Sequence, residues 1–155
     1  MYSLLCAAHL PTHKPTSGPR LAAALGFDLG VQRFAARGDW MIDTSEERPR
    51  LWLRAGLAPA EMNLAACEGL AAHLGLGWFD ETELALTIAM PREVLALLPG
   101  RAITRVVADY FVVPMRAARA RLRALGWLAS LQRAEPASGS RLRCASPFAD
   151  VAAGT

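Results

Sequence analysis

No stretch of eighteen apolar residues in this 155-residue chain runs without a charge or a strongly polar side chain, so the sequence excludes a membrane-spanning helix. The nearest approach, 57–79, is broken by Glu61, Asn63, Glu68 and His73. No basic region precedes the short apolar stretch at the N-terminus, which therefore does not read as a secretory signal. Cysteine is scarce. Cys6, Cys67 and Cys144 are an odd number at wide spacings, which excludes a disulfide framework or a CxxC metal knuckle and suits a reducing cytosol. Lysine is nearly absent, with Lys14 standing against 16 arginines, a bias expected of GC-rich coding in a bacterium or a bacterial mobile element. Internal repeats and long linkers are lacking too. With 53% hydrophobic and 20% charged residues, disorder is excluded, and a soluble, cytoplasmic protein is expected, with no membrane partner. A chain of this length buries roughly 70% of its unfolded surface and needs neither disulfide nor metal to hold a core.

What is present is unevenly placed. Residues 1–100 carry 8 basic and 11 acidic side chains, whereas residues 101–155 carry 9 basic and 3 acidic. The net charge of +3 thus hides an acidic front and a basic back. Such asymmetry suits an anionic partner for the basic end, most often nucleic acid, and equally suits a solvated arginine face.

Residues 1–17 hold two prolines and few periodic apolar positions and read as an extended arm. Pro19 opens a short helix that Gly26 stops. Between Phe27 and Leu53, short apolar runs broken by Gly38-Asp39 and by Ser45 to Pro49 predict two or three antiparallel strands, with 40–44 and 50–54 as a hairpin. Pro59 opens a long helix with Glu61 in its first turn, where the helix dipole favours an acid. Leu57, Leu64, Cys67, Leu70, Ala71 and Leu74 form its apolar stripe, and Gly75 and Gly77 end it. A second helix starts at the acidic run from Asp80 and closes at Met90-Pro91, and a short helix or turn follows to Pro99-Gly100. Two more helices are predicted over 101–111 and 115–125, then a loose hairpin from 128–134 and 141–144. Trp40, Trp52, Trp78 and Trp127 flank these elements and are expected to pack the core.

That order of pieces resembles the ImmA/IrrE family of zinc metallopeptidases. The matching stretches are RPRLWLRAGLAPAEMNLAACEGLAAHLG, DETELALTIAMPREV and VVADYFVVPMRAARARLRALGW, covering roughly residues 37–127. The family reads a strand pair, an Ala-His-Glu-Leu-Gly-His helix, and an acid-initiated helix closing on Met-Pro. A segment leading to Arg-Leu-x-x-Leu-Gly follows. The resemblance implies an α+β fold, with a small antiparallel sheet packed on a zincin-like helical core and a helix-turn-helix-like pair after it. With the residue pattern at either end, three parts are expected: an arm over 1–17, a metallopeptidase-fold domain over 18–127, and a C-terminal hairpin and tail over 128–155.

The departures from the family fall on the chemistry. His-Glu-x-x-His works because positions i and i+4 share a helix face, so two imidazoles hold one Zn²⁺ while the glutamate activates its water. By the resemblance, the ligand positions are Cys67, Ala71 and Asp80, and the catalytic position is Glu68. Alanine binds no metal. His73 and Glu83 are the possible substitutes, but His73 lies six residues from Cys67, roughly 240° around the helix. His9 and His13 lie in the arm. No cofactor is therefore expected, and zinc only if another group completes the set.

Each of these residues has a plain structural role beside the chemical one. Cys67 suits a small buried hydrophobe. Asp80 and Glu83 suit helix N-terminal acids, and His73 suits a partner for the helix C-terminus. Glu68 is either an ordinary solvated glutamate or a surviving base. Arg116, Arg119 and Arg123 share one helix face and would meet phosphates or guanine edges if the pair bound DNA, or face water if it only completes the fold. The expected function is a catalytically degenerate, regulatory protein-binding module of a phage, plasmid or stress circuit, whose partner would be a helix-turn-helix regulator. The alternatives are a DNA-binding regulator using 101–143 and an active zinc endopeptidase that cleaves such a repressor.

Overall fold

A computed structural model describes Pro15 and residues 17–34, 38–75 and 80–128. The expected arm over 1–17, apart from Pro15 and Ser17, lies outside the described residues, as do His9, His13, Trp78 and the C-terminal hairpin.

The described chain is α+β. Its elements run α1 (Gly18–Ala24), β1 (Asp28–Gln32), β2 (Trp40–Asp43), β3 (Arg50–Arg54), α2 (Pro59–Leu74), α3 (Glu81–Ala89), α4 (Arg92–Leu97), α5 (Thr104–Phe111) and α6 (Met115–Ala124). No helix among the described residues is long and apolar enough to cross a membrane.

Local chemistry sets the boundaries. Prolines open α1 and α2. Gly75 takes the left-handed conformation, φ 47°, that stops α2. Asp80 accepts a hydrogen bond from the Thr82 amide at 2.7 Å and caps α3. The α5–α6 turn is carried by Val112 at φ 50°, the one non-glycine residue among those described with positive φ. A β-branched residue there costs about 1–3 kcal/mol, so something must hold it.

The three strands correct the antiparallel expectation. Their order is β1-β3-β2; β2 pairs with β3 antiparallel, as the hairpin pattern predicts, but β1 pairs with β3 in parallel. Hydrophobic alternation reports which face a residue takes, not which strand lies beside it, and chain neighbours pair by default. Here β3 inserts between its predecessors. The crossing loop is pinned at its end, where the Arg54 amide donates to Asp39 O at 2.9 Å and the Ala55 amide to Gln32 O at 2.9 Å.

Leu51 and Leu53 of β3 face the core, and Arg50, Trp52 and Arg54 face outward. Trp52 therefore does not pack the core as expected: it lies over Gly30, where an added Cβ would collide with its ring, and Arg50 covers it. Trp40 and Trp127 do pack against the core.

Helix α2 is the hub, touching the sheet, α1 and α3. Its apolar surface is wider than a single stripe, because Asn63 through Cys67 are all buried, as are Gly69, Leu70 and Ala71. Two glycines allow this. Gly69 meets Leu51 and Trp40 of the sheet, and Gly18 of α1 meets Ala66 and Cys67, both too closely for a Cβ. Ile88 and Met90 from α3, Leu95 from α4, Val107 and Phe111 from α5 and Leu122 from α6 complete the interior. Each such side chain contributes about 1.5–3 kcal/mol on burial.

Two buried polar side chains fasten these helices. Asn63 donates to Phe111 O at 2.8 Å and to Val112 O at 3.0 Å, while its Oδ1 accepts from the Gly18 amide. It thereby holds the strained turn and α1 to α2. Arg121, 4% exposed, donates from Nε to Met90 O at 3.2 Å, joining α6 to the end of α3.

Candidate functional site: a groove around Glu68

Glu68 follows Cys67 in α2, about 100° further round the helix, which swings its carboxylate out of the interior toward the α3–α6 side. Two hollows meet there. The larger, about 220 Å³, is lined by Leu64 and Glu68 of α2, Thr82, Ala85 and Leu86 of α3, and Arg116, Ala117 and Ala120 of α6. The smaller, about 160 Å³, is lined by Trp40, Glu68, Glu81 and Thr82. Glu68 and Thr82 belong to both, so the hollows form one groove with Glu68 at its middle. Alanines at 85, 117 and 120 keep it open.

Glu68 is half-buried rather than solvated. Burial pushes its carboxyl above the usual glutamate range, helped by the nearby Asp39 carboxylate. Arg116 and a hydrogen bond from the Trp40 side chain act the other way without reversing the shift. Arg116 itself is engaged elsewhere, with both terminal nitrogens on the two oxygens of Glu61 one α2 turn-pair away. That hydrogen-bonded pairing holds the Glu61 carboxyl below its usual range and raises the Arg116 guanidinium.

The positions aligned with the family's zinc ligands do not fit the metal. Cys67 is 1% exposed, and burial, reinforced by the charge of Glu68, pushes its thiol up to about 12. Its sulfur packs under α1, where a Cβ on Gly18 would stand 2.9 Å from Sγ. A zinc ligand needs an open approach for the metal, and this buried sulfur has none. Ala71 is likewise 1% exposed and carries no donor. The Asp80 carboxylate is exposed and occupied in capping α3. Glu83 is exposed in the first turn of α3, and the exposed His73 packs edge-to-face on Phe27 with ring centroids 4.8 Å apart. Among the described residues, no three His, Cys, Asp or Glu side chains converge on a point that could hold a metal ion.

Of the three arginines placed on one face of α6, only Arg116 reaches the groove. Arg119 and Arg123 are exposed. Arg121, the arginine off that face, is the buried one.

Sequence reasoning found Glu68 and Arg116 but assigned them to separate readings, and it missed Thr82, Ala85, Leu86, Ala117 and Ala120 altogether. Small residues at matching turns of α3 and α6 were the available signal. Nothing in the spacing pairs Glu61 with Arg116 across 55 residues. No protein-family model matches the chain, and no curated protein is detectably similar to it.

Proposed function

We propose that this chain is a catalytically degenerate relative of the ImmA/IrrE metallopeptidases, with a zincin-like helical core, and that it acts as a regulatory protein-binding module rather than as a protease. The observation that carries the reading is the division of labour around Cys67 and Glu68. The residue aligned with the family's glutamate opens into a groove, while those aligned with its ligands are spent on core packing and helix capping. A glutamate without a metal-bound water has no activated nucleophile to serve. The groove itself remains, walled by apolar side chains with one carboxylate at its centre, a surface suited to a protein segment. The setting is a phage, plasmid or stress-response circuit in the cytoplasm, with a helix-turn-helix regulator as the partner.

Zinc content separates this from the enzymatic reading. Protein expressed with added zinc and purified without a tag is expected to show no metal above background by elemental analysis. About one chelatable zinc per chain would overturn the proposal and point to an endopeptidase whose ligand set is completed from elsewhere.

A second reading, direct DNA binding, rests on the three-residue turn between α5 and α6 and on the exposed Arg119 and Arg123. It is weaker because Arg116, at the start of α6, is neutralised by Glu61 and stands near Glu68, where a phosphate would be repelled. DNA affinity that falls steeply with salt and is reduced by Arg119→Ala would favour it.

A further inference from the structure

The larger hollow joins three features that together select one kind of side chain. Its walls are apolar: Leu64 below, Ala85 and Leu86 on α3, Ala117 and Ala120 on α6. Its centre is the Glu68 carboxylate, which has about four acceptor sites, and among the described residues the Trp40 side chain is the one hydrogen-bond donor to it. The cation beside it, Arg116, is paired through both terminal nitrogens with the two oxygens of Glu61. Among the described residues lining the groove, two carboxylates, Glu68 and Glu81, thus stand against one arginine, Arg116, which is already paired with Glu61.

We propose that the groove is the docking site for a protein segment that inserts a lysine or arginine side chain, laying its aliphatic stem on the wall of Leu64, Ala85 and Leu86 and its cationic head on the Glu68 carboxylate. Long cationic side chains match such a cleft because stem and head want different surroundings. An apolar anchor would cover Glu68 and leave most of its acceptor sites unmatched, a penalty of the order that makes half-satisfied buried groups unfavourable. An acidic or phosphorylated segment would meet Glu68 and Glu81 with like charge. Electrostatic complementarity therefore fixes the sign of the anchor as well as its length. The inference rests on the groove being a protein-docking site, and it adds the chemistry of the residue that enters.

The test uses three pentapeptides, acetyl-Ala-Leu-Lys-Leu-Ala-amide and its analogues with norleucine or glutamate at the centre. Each is titrated to millimolar concentration into the full-length ¹⁵N-labelled protein. The lysine peptide is expected to shift amides of Glu68, Thr82 and Ala120 saturably, with the norleucine peptide about tenfold weaker and the glutamate peptide weaker still. Glu68→Gln should bring the lysine peptide down to the norleucine level. Ala120→Trp, at an exposed position on the rim, should abolish binding of both while leaving the rest of the spectrum intact. Equal binding of the lysine and norleucine peptides would overturn the cationic anchor and leave the docking groove standing. Shifts spread over acidic surface residues would overturn the assignment of the site. If no peptide moves the groove amides, both the anchor and the docking reading fall.

Discussion

Two polar side chains of helix α2 five residues apart, Asn63 and Glu68, are opposites. Asn63 has every strong hydrogen-bonding atom matched: one acceptor to the Gly18 amide and two donors to the carbonyls of Phe111 and Val112. Glu68 faces an open groove with spare acceptor capacity and a carboxyl that burial holds above its ordinary range. The difference separates two uses of polarity in one helix. A saturated buried amide rigidifies, because removing either side strands groups that water cannot reach. A carboxylate with unmatched lone pairs beside a cavity costs the fold something and gives it a point of recognition. The contrast also explains why Cys67, next to Glu68, is inert: its sulfur lies on the Asn63 side of the helix, under Gly18.

The sharpest way to break the comparison is to remove the saturated member. Asn63→Ala strands the Gly18 amide and two carbonyls and releases Val112 from the contact that holds its left-handed backbone. The expected loss is about 2–4 kcal/mol, read from urea unfolding, with the α5–α6 turn losing amide protection first. A loss below about 1 kcal/mol would mean that Asn63 is a bystander. Gly69→Ala comes next. The new Cβ would stand 2.6 Å from Leu51 Cδ1 and 3.4 Å from the Trp40 ring, so the fully buried Leu51 side chain would have to shift. Overpacking costs about 1–3 kcal/mol and the gain in helix propensity returns about 1, so a net loss near 1 kcal/mol is expected. Because Trp40 hydrogen-bonds Glu68, the same change should also shift the carboxyl signal of Glu68.

Which parts of this were legible in the sequence follows from the range of the forces involved. Helix limits at Pro59, Gly75, Asp80 and Met90-Pro91 were readable, because capping and backbone conformation act within a turn. The β2–β3 hairpin was readable for the same reason. The parallel pairing of β1 with β3 was not, since no local pattern says which strand will be inserted between two others. Nor did one apolar stripe reveal a helix buried on most sides; the glycines at 18 and 69 show their purpose only once α1 and the sheet press on them. At the groove, Glu68 was legible as a position but not as a half-buried group, and Arg116 was grouped with Arg119 and Arg123 by spacing alone. The Glu61 contact that takes it out of that group is formed across the fold.

The smallest effects sharpen the comparison most, because they carry opposite signs. Glu61 and Glu68 are two turns apart on α2, one paired with Arg116 and one not. The Glu61 carboxyl is lowered by the Arg116 hydrogen bond, so its contribution is present above the ordinary value of 4.5 and is lost as pH falls through the lowered one. Glu68 is raised by burial, so stability is greatest below 4.5 and is lost as pH rises through the raised value, where the half-buried group must ionise. At pH 7, Glu61→Gln should therefore destabilise and Glu68→Gln should stabilise, each by about 0.5 kcal/mol or less, since both groups see solvent. Both differences should shrink toward zero in strong acid, where the native carboxyls are protonated like the amides that replace them. Added salt should weaken the Glu61 effect and leave most of the Glu68 effect, which comes from desolvation rather than from a pair. If Glu68→Gln instead destabilised the protein at pH 7, the carboxylate would be held by contacts as complete as those of Asn63, and the groove would have no unmet acceptor to offer a partner.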